Sequence, residues 1–204
     1  MAKNFKELLS KVSECSKKTL AVACAQDQAV LEAVKEANER GIASSILVGD
    51  EEKIREIAAS INMDLSDFKI INVVDTVEAS LAAVKLVHDG EADMYLKGLL
   101  DTKTFLKSVL DKEVGLRTDK TLSHVCVFEC EGIDRLLFLT DVAFLPYPTL
   151  EDKVAIINNT VEIAHACGIE CPKVAGMAAV EVVNPKMKET VEAFELSKMQ
   201  DEGK

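Results

Sequence analysis

Thr19-Leu-Ala-Val-Ala-Cys-Ala25 is an apolar run too short for a buried helix and of the kind found in strands covered on both faces. Such strands belong to parallel sheets flanked by helices, so a helix should follow. Ala29, Ala33, Val34 and Ala37 recur at three- and four-residue steps, and Gly41 stands where a C-terminal glycine would end that helix. The cycle then repeats: 45–48 reads as strand, 51–62 as helix, 70–74 as strand, 77–87 as helix closed near Gly90, 92–96 as strand and 102–112 as helix. Strands alternating with helices of this length predict parallel pairing with helices on both faces, an open α/β domain over residues 1–118.

The rhythm changes after a boundary placed near residues 115–120. Segments 122–129 and 136–141 are strand candidates separated only by Cys130-Glu-Gly-Ile-Asp-Arg135, which is hairpin-like and predicts antiparallel pairing. A helix over 150–166 has Thr149 as its cap and Glu151 and Asp152 in its first turn, where negative charge suits the helix dipole. Residues 173–180 read as another strand and 185–200 as another helix. Residues 119–204 are thus expected to form a second, smaller α/β domain. A helix that follows a core strand in this architecture normally hands over to a further strand, so the sequence reads as a fold incomplete at its C-terminus.

Of the 204 residues, 48% are hydrophobic and 29% charged, the balance of an aliphatic-cored globular protein. The net charge of −11 argues against nucleic-acid or anionic-membrane partners, which are held by clusters of Lys and Arg. A small anion needs only a local cationic pocket and remains compatible. Phe5, Leu8, Leu9 and Val12 lie at helical spacing with lysines between them, so the N-terminus reads as an amphipathic helix rather than a signal peptide. With no run of ~18 apolar residues, a cytoplasmic location is expected. The spacing Cys126-x-x-x-Cys130 invites a zinc reading, but on a strand the two Cα atoms would be roughly 13 Å apart, too far to share a metal without a sharp bend. No metal is expected. Gly-x-Gly-x-x-Gly, Walker and Gly-x-Ser-x-Gly patterns do not occur, which weakens dinucleotide, ATP and serine-hydrolase readings.

Four segments occur in order: Tyr95-Leu-Lys-Gly-Leu-Leu-Asp-Thr102; Lys112-Glu-Val-Gly-Leu-Arg-Thr118 running into Leu122-Ser-His-Val125; the stretch 141–153; and Ala178-Ala-Val-Glu-Val-Val-Asn-Pro-Lys-Met187. Together they resemble the phosphate acetyl/butyryltransferase family, on its butyryltransferase branch. The resemblance implies reversible exchange of a short acyl group between coenzyme A and phosphate: butyryl-CoA and phosphate give butyryl phosphate and CoA. It also implies a two-domain architecture like that of isocitrate and isopropylmalate dehydrogenases, with the site in the cleft between domains. Coenzyme A enters as substrate, and no cofactor is implied. The partners implied are small-molecule substrates and further copies of the chain, a dimer first of all. Relatives of this kind are longer and carry a late Ser-Arg-Ala-Asp segment thought to supply the reacting arginine and carboxylate. It is absent here, which places the catalytic groups beyond residue 204. The alternative is a non-catalytic α/β ligand-binding or assembly module derived from the same fold.

Within that frame Lys97, Gly98 and Thr102 are the candidate phosphate or acyl-phosphate site. They fall where a strand ends and a helix begins, so backbone N–H groups and the helix dipole face the loop, and the glycine permits close approach. The residues alone leave this open against a solvated lysine beside a simple turn; the resemblance favours the anion site. Lys107, further along the same helix, stands in for a family arginine. Arg117, Asp141, Glu181 and Asn184 are further cleft candidates, each with a bland counterpart: a surface arginine, a loop carboxylate or an ordinary Asn-Pro helix entry. His124 is read as structural.

Overall fold

In the computed structural model, which describes residues 2–203, the apolar run at residues 19–25 lies inside a sheet. Strand β1 (Lys18–Ala23) pairs in parallel with β2 (Ala43–Gly49) on one side and β4 (Met94–Lys97) on the other. Strand β3 (Lys69–Asn72) pairs in parallel with β2, giving the order β3-β2-β1-β4. Residues 21–25 have no exposed surface, as expected of a strand with both faces covered. Ala21, Ala23, Ile46 and Val48 pack with Ala79 and Ala83 of α4 (Thr76–His88). Val22 and Leu47 pack instead with Leu31 and Val34 of α2 (Gln28–Glu39) and with Ile54 and Ala58 of α3 (Glu51–Ser60). Alternate side chains of β1 therefore feed two separate cores, and the alanines on one face admit α4 at close range.

Each of these helices, and α5 (Thr102–Val109) after β4, starts directly beyond a strand and is capped by an aspartate: Asp27, Asp50, Asp75 and Asp101 accept N–H bonds from the first turns. Their carboxylates satisfy amides that the helix itself leaves unpaired.

The chain divides into two compact units, Ser10–Thr118 and a second made of residues 119–203 with residues 2–9. In the second unit β5 (Val125–Phe128) and β6 (Leu137–Thr140) form the expected antiparallel pair, Val125 opposite Thr140 and Phe128 opposite Leu137. Helix α6 (Leu150–Ala166) starts with a full capping box between Thr149 and Asp152. Helix α7 (Lys188–Asp201) is joined to it by Glu192, which receives Lys153 at 2.6 Å and Lys188 at 3.2 Å. The lysine bond from Lys153 is the main reason that the Glu192 carboxyl is held below the usual range. Helix α1 (Phe5–Val12) is anchored at its start by the Phe5 amide on the Glu129 carboxylate at 2.7 Å.

Residues 173–180 correct one expectation. They were expected as a strand, and they carry no strand pairing; Val174 is 59% and Met177 86% exposed. The alanine- and valine-rich composition sets only a local preference for extended backbone, whereas a strand exists through a ladder with a neighbour. Among the described residues no neighbour offers one. No helix among them is long and apolar enough to cross a membrane.

Candidate functional site

The strand order gives the first unit a topological switch point. The chain moves from β1 outward to β2 and β3, then crosses to the other flank for β4, so the loops leaving β1 and β4 diverge at the carboxyl edge of the sheet. Open parallel sheets bind ligands at such switch points. Here the switch point falls between the loops that follow β1 and β4, where Lys97 is directly in register with Ala23.

The loop after β4 is fastened to β1 before it turns away. Gly98 N donates to Ala23 O and Leu99 N to Cys24 O, both at 2.9 Å, and Leu100 N donates to Gly98 O at 2.9 Å. A Cβ on Gly98 would lie 2.4 Å from both the Ala23 and Cys24 carbonyl oxygens, so glycine is required by the approach of two backbones. The amides of residues 98–100 are thereby committed within the chain. Cys24 itself has a φ of 53° and directs its thiol 3.7 Å from Thr76 O; burial pushes that thiol's pKa up.

What remains for a ligand is concentrated on Lys97, which is exposed, and on the start of α5. Asp101 accepts from Thr104 N at 2.9 Å and Thr104 Oγ1 at 2.6 Å. The hydroxyl bond leads in holding its carboxyl below the usual range. Thr102, at the first helical position, presents its hydroxyl and an amide without intrahelical partner. The arrangement is an exposed lysine beside a helix N-terminus whose first turn carries a second, Lys103, and amides without intrahelical partners, suited to a small oxyanion.

Lys107 is not brought to this end. It stands in the last turn of α5, where its charge adds to the effect of the Val114 and Glu113 amides in lowering the Asp111 pKa. Arg117 is exposed at the end of the first unit. In the second unit the Asp141 carboxylate accepts the His124, Phe144 and Leu145 amides. Burial alone would raise its pKa, but these three donors together hold it below the usual range. The His124 ring stacks on Phe144 at 5.3 Å and its Nε2 lies 3.6 Å from Cys126 Sγ. Asn184 serves the entry to α7: its Oδ1 accepts from Lys186 N at 3.0 Å, and its own amide donates to Thr190 Oγ1 at 2.9 Å. Glu181 is exposed in the bend before it.

Two features escape a reading of the sequence. The loop 24–27 faces Lys97 only because of the strand order, which a run of alternating elements does not specify. Beneath the site, Ser80 of α4, Tyr95 of β4 and Ser108 of α5 meet, with Ser80–Tyr95 and Ser80–Ser108 at 2.8 Å and Tyr95–Ser108 at 3.0 Å. The one signal for it was a serine among the alanines on the inward face of α4.

Comparison with known proteins places the chain in a family. Residues 4–79 and 73–204 match the family described as Phosphate acetyl/butaryl transferase. Over 203 residues the chain is 60% identical to the phosphate butyryltransferase of Clostridium beijerinckii and 58% identical to that of Clostridium acetobutylicum, covering 100% of this chain and 67% of each relative. It therefore spans about two thirds of the length of these relatives. A crystal structure of a branched-chain phosphotransacylase from Enterococcus faecalis superposes with a TM-score of 0.74 at 31% identity, over 89% of this chain and 63% of that one. With its parallel sheet and with matches that run the length of the chain, it belongs to the phosphate acetyl/butyryl transferase family.

Proposed function

We propose that the chain carries the phosphate side of a site that exchanges a short acyl group between coenzyme A and phosphate, with butyryl-CoA and phosphate giving butyryl phosphate and CoA. In that direction a phosphate oxygen attacks the thioester carbonyl and the CoA thiolate leaves; in reverse the thiolate attacks the acyl phosphate. No oxidation state changes, so no redox cofactor is called for. The observation that carries the reading is Lys97, exposed at the end of β4 beside the start of α5. Its ammonium and the Thr102 donors hold the phosphate oxygens, and Gly98 sets the loop's approach. The groups that stabilise the tetrahedral intermediate come from the part of the relatives' length that this chain does not match. The working form is cytoplasmic and a homo-oligomer, a dimer in the simplest case.

The test is Lys97→Ala in a single chain that joins these residues to the C-terminal third of the Clostridium beijerinckii relative. Loss of a charged contact to the transferred group is worth about 1.5–3 kcal/mol, so the KM for phosphate should rise roughly tenfold to a hundredfold while that for CoA holds. An unchanged KM for phosphate would make Lys97 a bystander and remove the proposal's support.

A further inference from the structure

We propose that the buried hydroxyl chain Tyr95–Ser80–Ser108 is a positioning device for Lys97, setting the phosphate affinity of a site that none of the three touches; this rests on the phosphate reading above. Ser80 and Ser108 are 0% and 2% exposed, on helices whose neighbouring residues Ala79, Ala83 and Phe105 belong to or pack against the apolar core. Hydroxyls in such a place must be paired, and each of the three finds its partners within the cluster or on the adjoining backbone. Ser108 Oγ donates to Phe105 O at 2.8 Å, inside α5. Ser80 Oγ donates to Ser108 Oγ at 2.8 Å, and the Tyr95 hydroxyl lies 2.8 Å from Ser80 Oγ, 3.0 Å from Ser108 Oγ and 3.3 Å from Ser80 O. The network links β4, α4 and α5 through three side chains. Burial pushes the Tyr95 phenol up in pKa, so it stays neutral and remains a donor.

The same tyrosine is gripped from α5 a second time: its ring stacks on Phe105 with centroids 4.8 Å apart and planes 12° from parallel. Tyr95 and Lys97 are two residues apart on β4, so their side chains leave the strand on the same face, the face that α4 and α5 cover. The segment from Lys97 to Thr102 is thus held at both ends. One end is the Gly98 and Leu99 amides on β1; the other is α5, fixed by Phe105 and Ser108. Loosening the second anchor lets α5 shift against β4 and separates the Thr102 donors from the Lys97 ammonium, while the fold survives.

The experiment uses the 204-residue chain and inorganic phosphate, with binding followed through the backbone amide NMR signals of residues 97–104. Four proteins are compared: wild type, Tyr95→Phe, Lys97→Ala and the double variant. A fifth, Ile54→Val, perturbs the core on the other face of the sheet. Tyr95→Phe should weaken phosphate binding by about threefold to tenfold, the loss of one well-formed hydrogen bond. In the Lys97→Ala background the same change should have no further effect, because a positioning residue acts only through the group it positions. Ile54→Val should bind as wild type does, separating positioning from general loss of stability. A full and additive effect of Tyr95→Phe without Lys97, or wild-type affinity in Tyr95→Phe, overturns the positioning role and leaves the phosphate site standing. Absence of any phosphate-dependent shift in the wild-type chain removes the site, and the positioning role with it.

Discussion

Gly98 and its neighbour Lys97 show how little separates a packing constraint from a functional one. The glycine is fixed by carbonyls of β1 that would stand 2.4 Å from any Cβ, whereas the lysine beside it is exposed. Gly98→Ala should therefore lower the unfolding free energy by about 1–3 kcal/mol, the cost of forcing a methyl into a closed contact. Lys97→Ala should stay within about 0.5 kcal/mol of wild type. Urea denaturation of the two variants decides this; a Gly98→Ala midpoint equal to wild type would mean that the loop is not clamped. From the sequence alone Gly98 stood as a residue permitting ligand approach, because a glycine after a strand looks the same whether a ligand or another strand comes close. Asp141 carries the same lesson. Its place in a loop leaving a strand was legible, but its engagement by three amides depends on how residues 141–145 fold back on His124.

At the level of elements, the order of strands and helices in residues 18–109 follows from local signals: short apolar runs, three- and four-residue periodicity, and an aspartate before each of α2 to α5. Helix α6 was equally legible through Thr149. Thr149→Ala breaks the capping box and should cost about 1 kcal/mol, seen as a lower thermal midpoint for the second unit; Thr149→Ser should restore it. Residues 173–180 mark the limit of such signals. Their composition suits a strand, but pairing is a relation between distant segments, and the side chains of Val174, Met177 and Val182 remain exposed. The Ser80–Tyr95–Ser108 chain was invisible for the same reason, since its partners lie 13 to 28 residues apart.

For the molecule as a whole, the excess of negative charge and the aspartate caps along the carboxyl edge make a lysine at the switch point stand out as the cation an oxyanion would meet. The chain matches about two thirds of the length of its relatives. Removing even one donor to a developing oxyanion costs roughly 10²–10³ in rate. With more than one such group assigned to the unmatched third, the 204-residue chain should turn over butyryl-CoA and phosphate at least about a thousandfold more slowly than a full-length relative. Thioester loss measured side by side checks this, and activity within about tenfold of the control would place the catalytic groups inside these residues. The central position of β1 has a further consequence, for time rather than for binding. Its amides are locked to parallel neighbours on both sides and sealed by helices above and below, so no local fraying can expose them. In deuterated buffer the amides within Leu20–Ala23 that bond to β2 and β4 should be the last in the chain to take up the isotope. Their exchange should require the whole first unit to unfold, and its rate should report that unit's stability directly.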